Sequence, residues 1–230
     1  MNANPFQRLL VTAILLIAAG RAACGDERPI REPIEWTDIW VAQADKTDLP
    51  RVLLVGDSIT RGYYDAVDKA LQGKANCARY CTSKYLGHAD FLKELTILLE
   101  AYTPDVIHIN SGLHGWGYSE EQYAAAFGPL FEVLEKHAPK AKILWASSTP
   151  VRNGSKLAEF DDLTKRVRER NRIAAEAMGK HGIAINDLFA LVEAHDDWYT
   201  KDGVHFNDAG RAALAKQVTD AVAAVLPRKP

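Results

Sequence analysis

The apolar positions of this chain follow two alternating rhythms. Runs of strand length, at Arg51 to Gly56, Asp105 to Asn110, Ala141 to Ser147 and Gly182 to Asn186, are separated by longer stretches in which apolar residues return every three or four positions. Short continuous runs of branched residues predict buried strands, and the 3.6-residue period predicts amphipathic helices. Phe91-Leu92-Leu95-Leu98-Leu99 and Tyr123-Phe127-Leu130-Phe131-Leu134 carry the helical spacing most clearly. Glu159 to His181 and Asp208 to Val225 read as helices too, the last capped by Asn207 or Asp208. Strand alternating with helix predicts an α/β fold, a three-layer α/β/α sandwich with a mostly parallel central sheet. The topology needs one weaker strand near Ala75 to Tyr80. Residues 26–50, with Pro29, Pro33, Pro50, Trp36 and Trp40, read as an extended lead-in packed by its aromatics, ahead of one domain over residues 51–230.

Residues 1–25 differ from the rest. The run Leu9 to Ala19 is too short to span a bilayer but suits the core of a signal peptide, and small residues follow it. Export to a periplasmic or extracellular location is the expectation, with no membrane-spanning segment in the mature chain. Cys24 after Ala22-Ala23 has the look of a lipid-anchored acceptor, although Arg21 stands where such a motif takes an aliphatic residue. Cys77 and Cys81, four apart in a loop-like segment, are open to two readings, a disulfide or two unpaired small residues.

Charge argues against one class of partner. A formal net charge of -2 over 230 residues, without recurring basic clusters, gives no electrostatic footprint for nucleic acid. Arg166, Arg168, Arg170 and Arg172 alternate with Glu169 and Asn171 and read as a solvated helix face. No cysteine and histidine spacing makes a metal site, and no cofactor is implied.

The candidate chemistry begins where the first strand ends. Gly56-Asp57-Ser58-Ile59-Thr60 follows Val52-Leu53-Leu54-Val55, so Ser58 falls on a turn at a strand's carboxyl end, where open α/β sheets place ligands. Taken alone, Asp57 and Ser58 are as well explained by a helix cap. A serine nucleophile needs a histidine base and an acid to orient it, and Asp202-Gly203-Val204-His205 offers both near the other end of the chain.

In these two blocks, their order and the alternation between them, the chain resembles the SGNH hydrolases, also called GDSL esterases and lipases, over roughly Pro50 to Pro227. The resemblance implies a flavodoxin-like sheet, with Ser58 as nucleophile, His205 as general base and Asp202 as the residue orienting it. It also exposes departures. Where the family carries Gly-x-Asn-Asp, this chain reads Gly112-Leu113-His114-Gly115, so a neutral His114 offers its N–H to the oxyanion where an amide is usual, and Asn110 is the rival donor. The Gly of the family's second block is missing, leaving the backbone amides of Cys81, Thr82 or Ser83, or of Gly87 further along, beside that of Ser58 itself. Asp57, Trp116, Tyr118, Thr149 and Arg152 are candidates for the substrate rim, the two aromatics for stacking on a sugar. His108, inside a strand, reads as core.

The function implied is an exported serine esterase acting on small acyl esters, O-acetyl groups on carbohydrate first among them, through an acyl-enzyme. A short-chain lipase or arylesterase with the same triad, and a non-catalytic carbohydrate-binding protein on a degenerate esterase fold, are the alternatives.

Overall fold

The computed structural model describes residues 30–227, so the leader expected over residues 1–25, including Cys24, lies outside the described residues. The apolar run Arg51–Gly56 forms β2 at the centre of a six-stranded sheet. Its residues alternate strictly between the two faces: Val52 and Leu54 join one core, Leu53 and Val55 the other. A strand buried on both sides must be apolar at every position, which is why this run reads as continuous. Parallel to β2 lie β3 (Asn76–Thr82) on one side and β4 (Val106–Ile109), β5 (Lys142–Ala146) and β8 (Ala184–Asn186) on the other.

The parallel strands therefore run β3-β2-β4-β5-β8, the flavodoxin-like order. Connections leave β2 toward one edge and return toward the other at β4, so the topological switch point lies at the carboxyl ends of β2 and β4. Helix α1 (Ser58–Ala70) and α7 (Asp208–Val225) cover one face. Helix α2 (Ala89–Tyr102), α3 (Glu120–Ala125) and α4 (Phe127–His137) cover the other. Helix α5 (Leu163–Lys180) gives Val167 to the first core and Ala174 and Met178 to the second, and short α6 (Leu188–Val192) follows β8.

Several expectations are corrected. The lead-in is more than extended chain: Thr37–Val41 forms β1, which pairs antiparallel with β3 at the sheet edge and sets Thr37 opposite Thr82. Trp40 packs no core; it is 55% exposed, with the Arg79 guanidinium over its ring. The segment ahead of α5 forms a hairpin, β6 (Arg152–Asn153) with β7 (Lys156–Phe160). The helical window from Tyr123 is two helices meeting at Ala126.

The weak strand exists as β3, and it settles the cysteines. Cys77 and Cys81 lie in one strand, four residues and about 13 Å apart, whereas a disulfide needs Cα atoms within about 7 Å. Both are free and buried, and burial with the nearby Asp68 carboxylate pushes the Cys77 thiol up to about 12. Among the described residues no helix is long and apolar enough to cross a membrane.

His108 on β4 is fully buried, as its strand position suggests. Asn186 donates an amide hydrogen to its Nε2 at 3.0 Å, so the ring is neutral and protonated on Nδ1. Burial drives its pKa from 6.5 down to about 4. The unfolded chain takes up this proton below about pH 6.5 and the folded chain resists until about pH 4, so stability falls as pH falls through that window. The two values imply a loss of about 3 kcal/mol. Urea unfolding at about pH 7 and about pH 4.5 checks this: His108→Gln should show a smaller acid loss than the parent, and equal losses would refute it.

Candidate active site

Gly56 ends β2 because nothing larger fits: a Cβ there would lie 2.1 Å from the Thr60 Oγ1 in the first turn of α1. The chain then turns sharply. Asp57, extended at φ -120° and ψ -153°, caps α1 by accepting from the Ile59 amide at 2.9 Å. The helix-cap reading thus holds for Asp57, and it is the same cap that presents Ser58 at the first helical position, on the switch-point rim. The Ser58 amide, at that position, has no intrahelical partner.

The opposite side of the site is the loop ahead of α7. Thr200 donates its amide to His205 O at 2.8 Å, and Gly203 N donates to Thr200 O at 3.0 Å, closing a tight loop around Asp202. Gly203 has φ +71°, and a Cβ on it would strike Arg152 O at 2.0 Å, so this position requires glycine. Asp202 Oδ1 accepts from Thr200 Oγ1 at 2.8 Å and from the amides of Val204 and His205, each at 2.9 Å. Its Oδ2 meets His205 Nδ1 at 2.7 Å, and His205 Nε2 meets Ser58 Oγ at 2.8 Å. Ser58 and His205, 147 positions apart, are joined by one hydrogen bond.

The chemistry of the donors assigns the protons. A carboxylate only accepts, so His205 Nδ1 carries the hydrogen and Nε2 is left to accept from the Ser58 hydroxyl. Burial alone would raise the Asp202 carboxyl. The hydrogen bonds from the His205 ring, the His205 and Val204 amides and Thr200 outweigh it and hold Asp202 well below the usual carboxylate range. The side chains of His205 and Asp202 are 46% and 51% exposed, so the chain opens to solvent.

His114 lies in the loop after β4, lining a narrow crevice with Gly56, Asp57, Thr82 and Lys84. Its Nδ1 is 2.8 Å from Glu32 Oε2, and Glu32 Oε1 accepts from the Gly115 amide at 2.8 Å. The loop backbone is clamped from below by Arg170, which is fully buried and donates to Gly112 O at 3.0 Å, His114 O at 2.7 Å and Gly115 O at 3.0 Å.

Other candidates are placed differently from expectation. Asn110 gives its amide to Ala146 O at 2.7 Å and Ser148 Oγ at 3.1 Å, which spends both hydrogens and removes it as an oxyanion donor. Cys81 is flanked by Gly56 on β2 and Asp38 on β1, inside the sheet, and Ser83 gives its amide to Trp36 O. Thr82 lines the crevice, but the β2–β3 register gives its amide to Gly56 O, whereas the Gly87 amide has no hydrogen-bond partner among the described residues.

The expected substrate rim is mostly structure. Arg152 is 4% exposed, donating to Leu157 O and Glu193 O, while its backbone amide holds Gly203 O at 2.7 Å. Thr149 is buried. Trp116 is covered by the guanidiniums of Arg166 and Arg170. Tyr118 stacks on Tyr85 at 4.0 Å, and its hydroxyl accepts from the Ile30 amide. Neither ring is free for stacking on a sugar through those faces.

Sequence reasoning missed Glu32 and Arg170. Glu32 sits in a charged, proline-containing stretch with no periodicity to mark it. Arg170 was hidden in the arginine run, which is only half solvated: Arg168 and Arg172 face out, whereas Arg166 binds Glu120 and the Trp116 and Tyr118 carbonyls. The spacing of 166 and 170, one helical turn, on the side that carries Val167 and Ala174, was the available signal.

A family model described as GDSL-like Lipase/Acylhydrolase matches residues 54–213. The lipase/acylhydrolase from Enterococcus faecalis superposes with a TM-score of 0.63 at 19% identity, covering 79% of this chain and 100% of its own. A GDSL-like lipase from Bacteroides thetaiotaomicron VPI-5482 gives 0.59 at 21%, covering 76% and 89%. An acetyl xylan esterase, AlAXEase, gives 0.58 at 19%, covering 75% and 99%. At these identities the likeness speaks for the fold. No curated protein matches the sequence.

Proposed function

Because the chain belongs to the GDSL-like lipase/acylhydrolase family, we propose that it is a serine esterase in which Ser58, His205 and Asp202 form the catalytic triad. The observation that carries the reading is the continuous hydrogen-bonded line from Asp202 Oδ2 through the His205 ring to Ser58 Oγ, at 2.7 and 2.8 Å.

Ser58 Oγ attacks the ester carbonyl as its proton passes to His205 Nε2. Asp202, kept ionised, stabilises the resulting imidazolium. The carbonyl oxygen becomes an oxyanion, held by the Ser58 amide, by a second amide from Gly87, and by His114. Collapse expels the alcohol, which takes its proton from His205, and leaves an acyl group on Ser58. Water then attacks, with His205 again as base, and the acid leaves.

The substrate class we assign is a small acyl ester, with O-acetyl groups on carbohydrate first. Support comes from the open setting of the triad, which suits an acyl group pendant on a bulky polar molecule. Likeness to an acetyl xylan esterase points the same way at the level of fold. The packed state of Trp116, Tyr118, Thr149 and Arg152 shifts sugar contacts to other groups of the rim. The apolar leader supports export to the periplasm or beyond, with anchoring through Cys24 as an extension of that reading.

Turnover of acetylated xylo-oligosaccharides and of p-nitrophenyl esters from acetyl to octanoyl, with fluorophosphonate labelling mapped by mass spectrometry, tests the proposal. Acetyl esters should turn over at least about tenfold better than octanoyl, the scale of a poorly accommodated chain, and the label should sit on Ser58. Preference for octanoyl would favour a lipase or arylesterase, and a protein that takes no label would be a binding scaffold.

A further inference from the structure

We infer that Glu32, supplied by the segment ahead of β1, is a positioning residue that keeps a proton on His114 Nδ1, so that the donor facing the oxyanion is the Nε2–H of a doubly protonated ring. The inference rests on the acyl-transfer reading above and deepens it.

The argument is one of hydrogen-bond bookkeeping. Glu32 Oε2 lies 2.8 Å from His114 Nδ1, and a carboxylate has no hydrogen to give, so Nδ1 must carry one. In a neutral ring Nε2 would then be bare, an acceptor that repels an oxyanion. His114 serves the reaction only when both nitrogens are protonated, and the donor then brings a positive charge. This corrects the expectation of a neutral His114.

The surroundings favour that state. Asp57, from the β2–α1 turn, is 4% exposed, and its Oδ2 has no partner among the described residues. Arg170, from α5, opposes the charge; its Nη atoms donate to three carbonyls and its Nε lies 3.4 Å from the Glu120 carboxylate, which offsets part of that opposition. Lys84, from the loop after β3, lines the crevice with its Nζ drawn to Glu94 at 3.0 Å. Burial lowers the His114 pKa, but the Glu32 hydrogen bond and the Asp57 and Glu32 charges outweigh it and raise it overall. Burial raises Glu32, and the bonds to His114 and Gly115 outweigh that in turn, leaving it lowered.

The carboxylate is also held in place. Its second oxygen takes the Gly115 amide, and the lead-in is docked through Ile30 onto the Tyr118 hydroxyl at 2.7 Å. One site thus contains two acid–imidazole pairs with opposite tasks. Asp202–His205 presents a bare Nε2 to take a proton; Glu32–His114 presents a protonated Nε2 to hold a charge.

Long-range 1H–15N NMR of the histidine rings in the purified protein reads both nitrogens of His114 directly, without substrate. The expected result is a hydrogen on both Nδ1 and Nε2 at the pH of the assay, and a titration midpoint lowered in Glu32→Gln. On p-nitrophenyl acetate, Glu32→Gln should cut kcat by roughly 10- to 100-fold with KM within about twofold, and should add nothing in a His114→Ala background. A bare Nδ1, a bare Nε2 at the pH of the assay, an unmoved titration, or additive losses would overturn the assignment. Should Glu32→Gln fail to fold, the wild-type ring spectrum still decides. Absent esterase activity with the expected ring titration would sink acyl transfer alone and leave the Glu32–His114 pairing standing.

Discussion

Ser58→Ala should lower kcat on p-nitrophenyl acetate by about 10⁵- to 10⁶-fold while leaving KM almost unchanged, and should abolish fluorophosphonate labelling. The size follows from the geometry. His205 Nε2 accepts from one hydroxyl, at 2.8 Å, and alanine leaves it nothing to activate except water. The oxyanion donors remain, so a residual rate above the uncatalysed reaction is expected. Ser58 is not what holds the turn: Asp57 caps α1 and Gly56 admits Thr60, so the variant should keep its fold and melt within a few degrees of the parent. Activity within about a hundredfold of the parent would remove Ser58 as nucleophile.

Asp202→Asn should cost about 10⁴-fold in kcat, through the His205 tautomer and not through its position. Three hydrogens, from Thr200 Oγ1 and the amides of Val204 and His205, converge on Asp202 Oδ1, so an asparagine must put its carbonyl oxygen there. Its NH₂ then faces His205 Nδ1 and donates to it. The ring's hydrogen moves to Nε2, toward Ser58, where a base is needed. Stopped assays with Asp202→Asn and Asp202→Ala separate this from simple loss of contact: the asparagine should be at least as damaging as the alanine. If Asp202→Asn kept a tenth of the parent rate, the orienting role would fall.

How much of this was readable beforehand depended on burial. The β2 and β4 segments announced themselves because strands covered on both faces are almost wholly apolar, whereas β5 and the edge strand β8 were marked by short apolar runs although Lys142, Ala184 and Ile185 are exposed. The edge strand β1, Thr-Asp-Ile-Trp-Val, is half exposed and mixed in character, and β7, Lys-Leu-Ala-Glu-Phe, is exposed along most of its length. Nothing in their patterns separates them from loop. The break at Ala126 was invisible because Tyr123, Phe127 and Leu130 keep helical spacing across it.

The site divided in the same way. Ser58, Asp202 and His205 were found by residue type and local spacing, since each sits in a turn whose sequence is itself distinctive. The rim could not be found so. Arg152 and Thr149 follow β5 at the correct end of the sheet, yet one braces the Gly203 loop and the other is buried, a difference set by packing between distant elements. Glu32 acts across 82 positions, a pairing fixed only when β1 joins β3.

The direction of β1 carries a consequence for how the molecule is held. Because β1 runs against its parallel neighbours, its first residue, Thr37, lies beside Thr82 at the carboxyl end of β3. The polypeptide before it therefore leaves the fold over the rim that bears Ser58, and Glu32 and Ile30 are already in contact there. The segment from Ile30 to Trp36 is thus a wall of the site as well as the approach to β1, so a substitution that loosened β1 from β3 would reach Glu32 and His114 as well as the sheet edge.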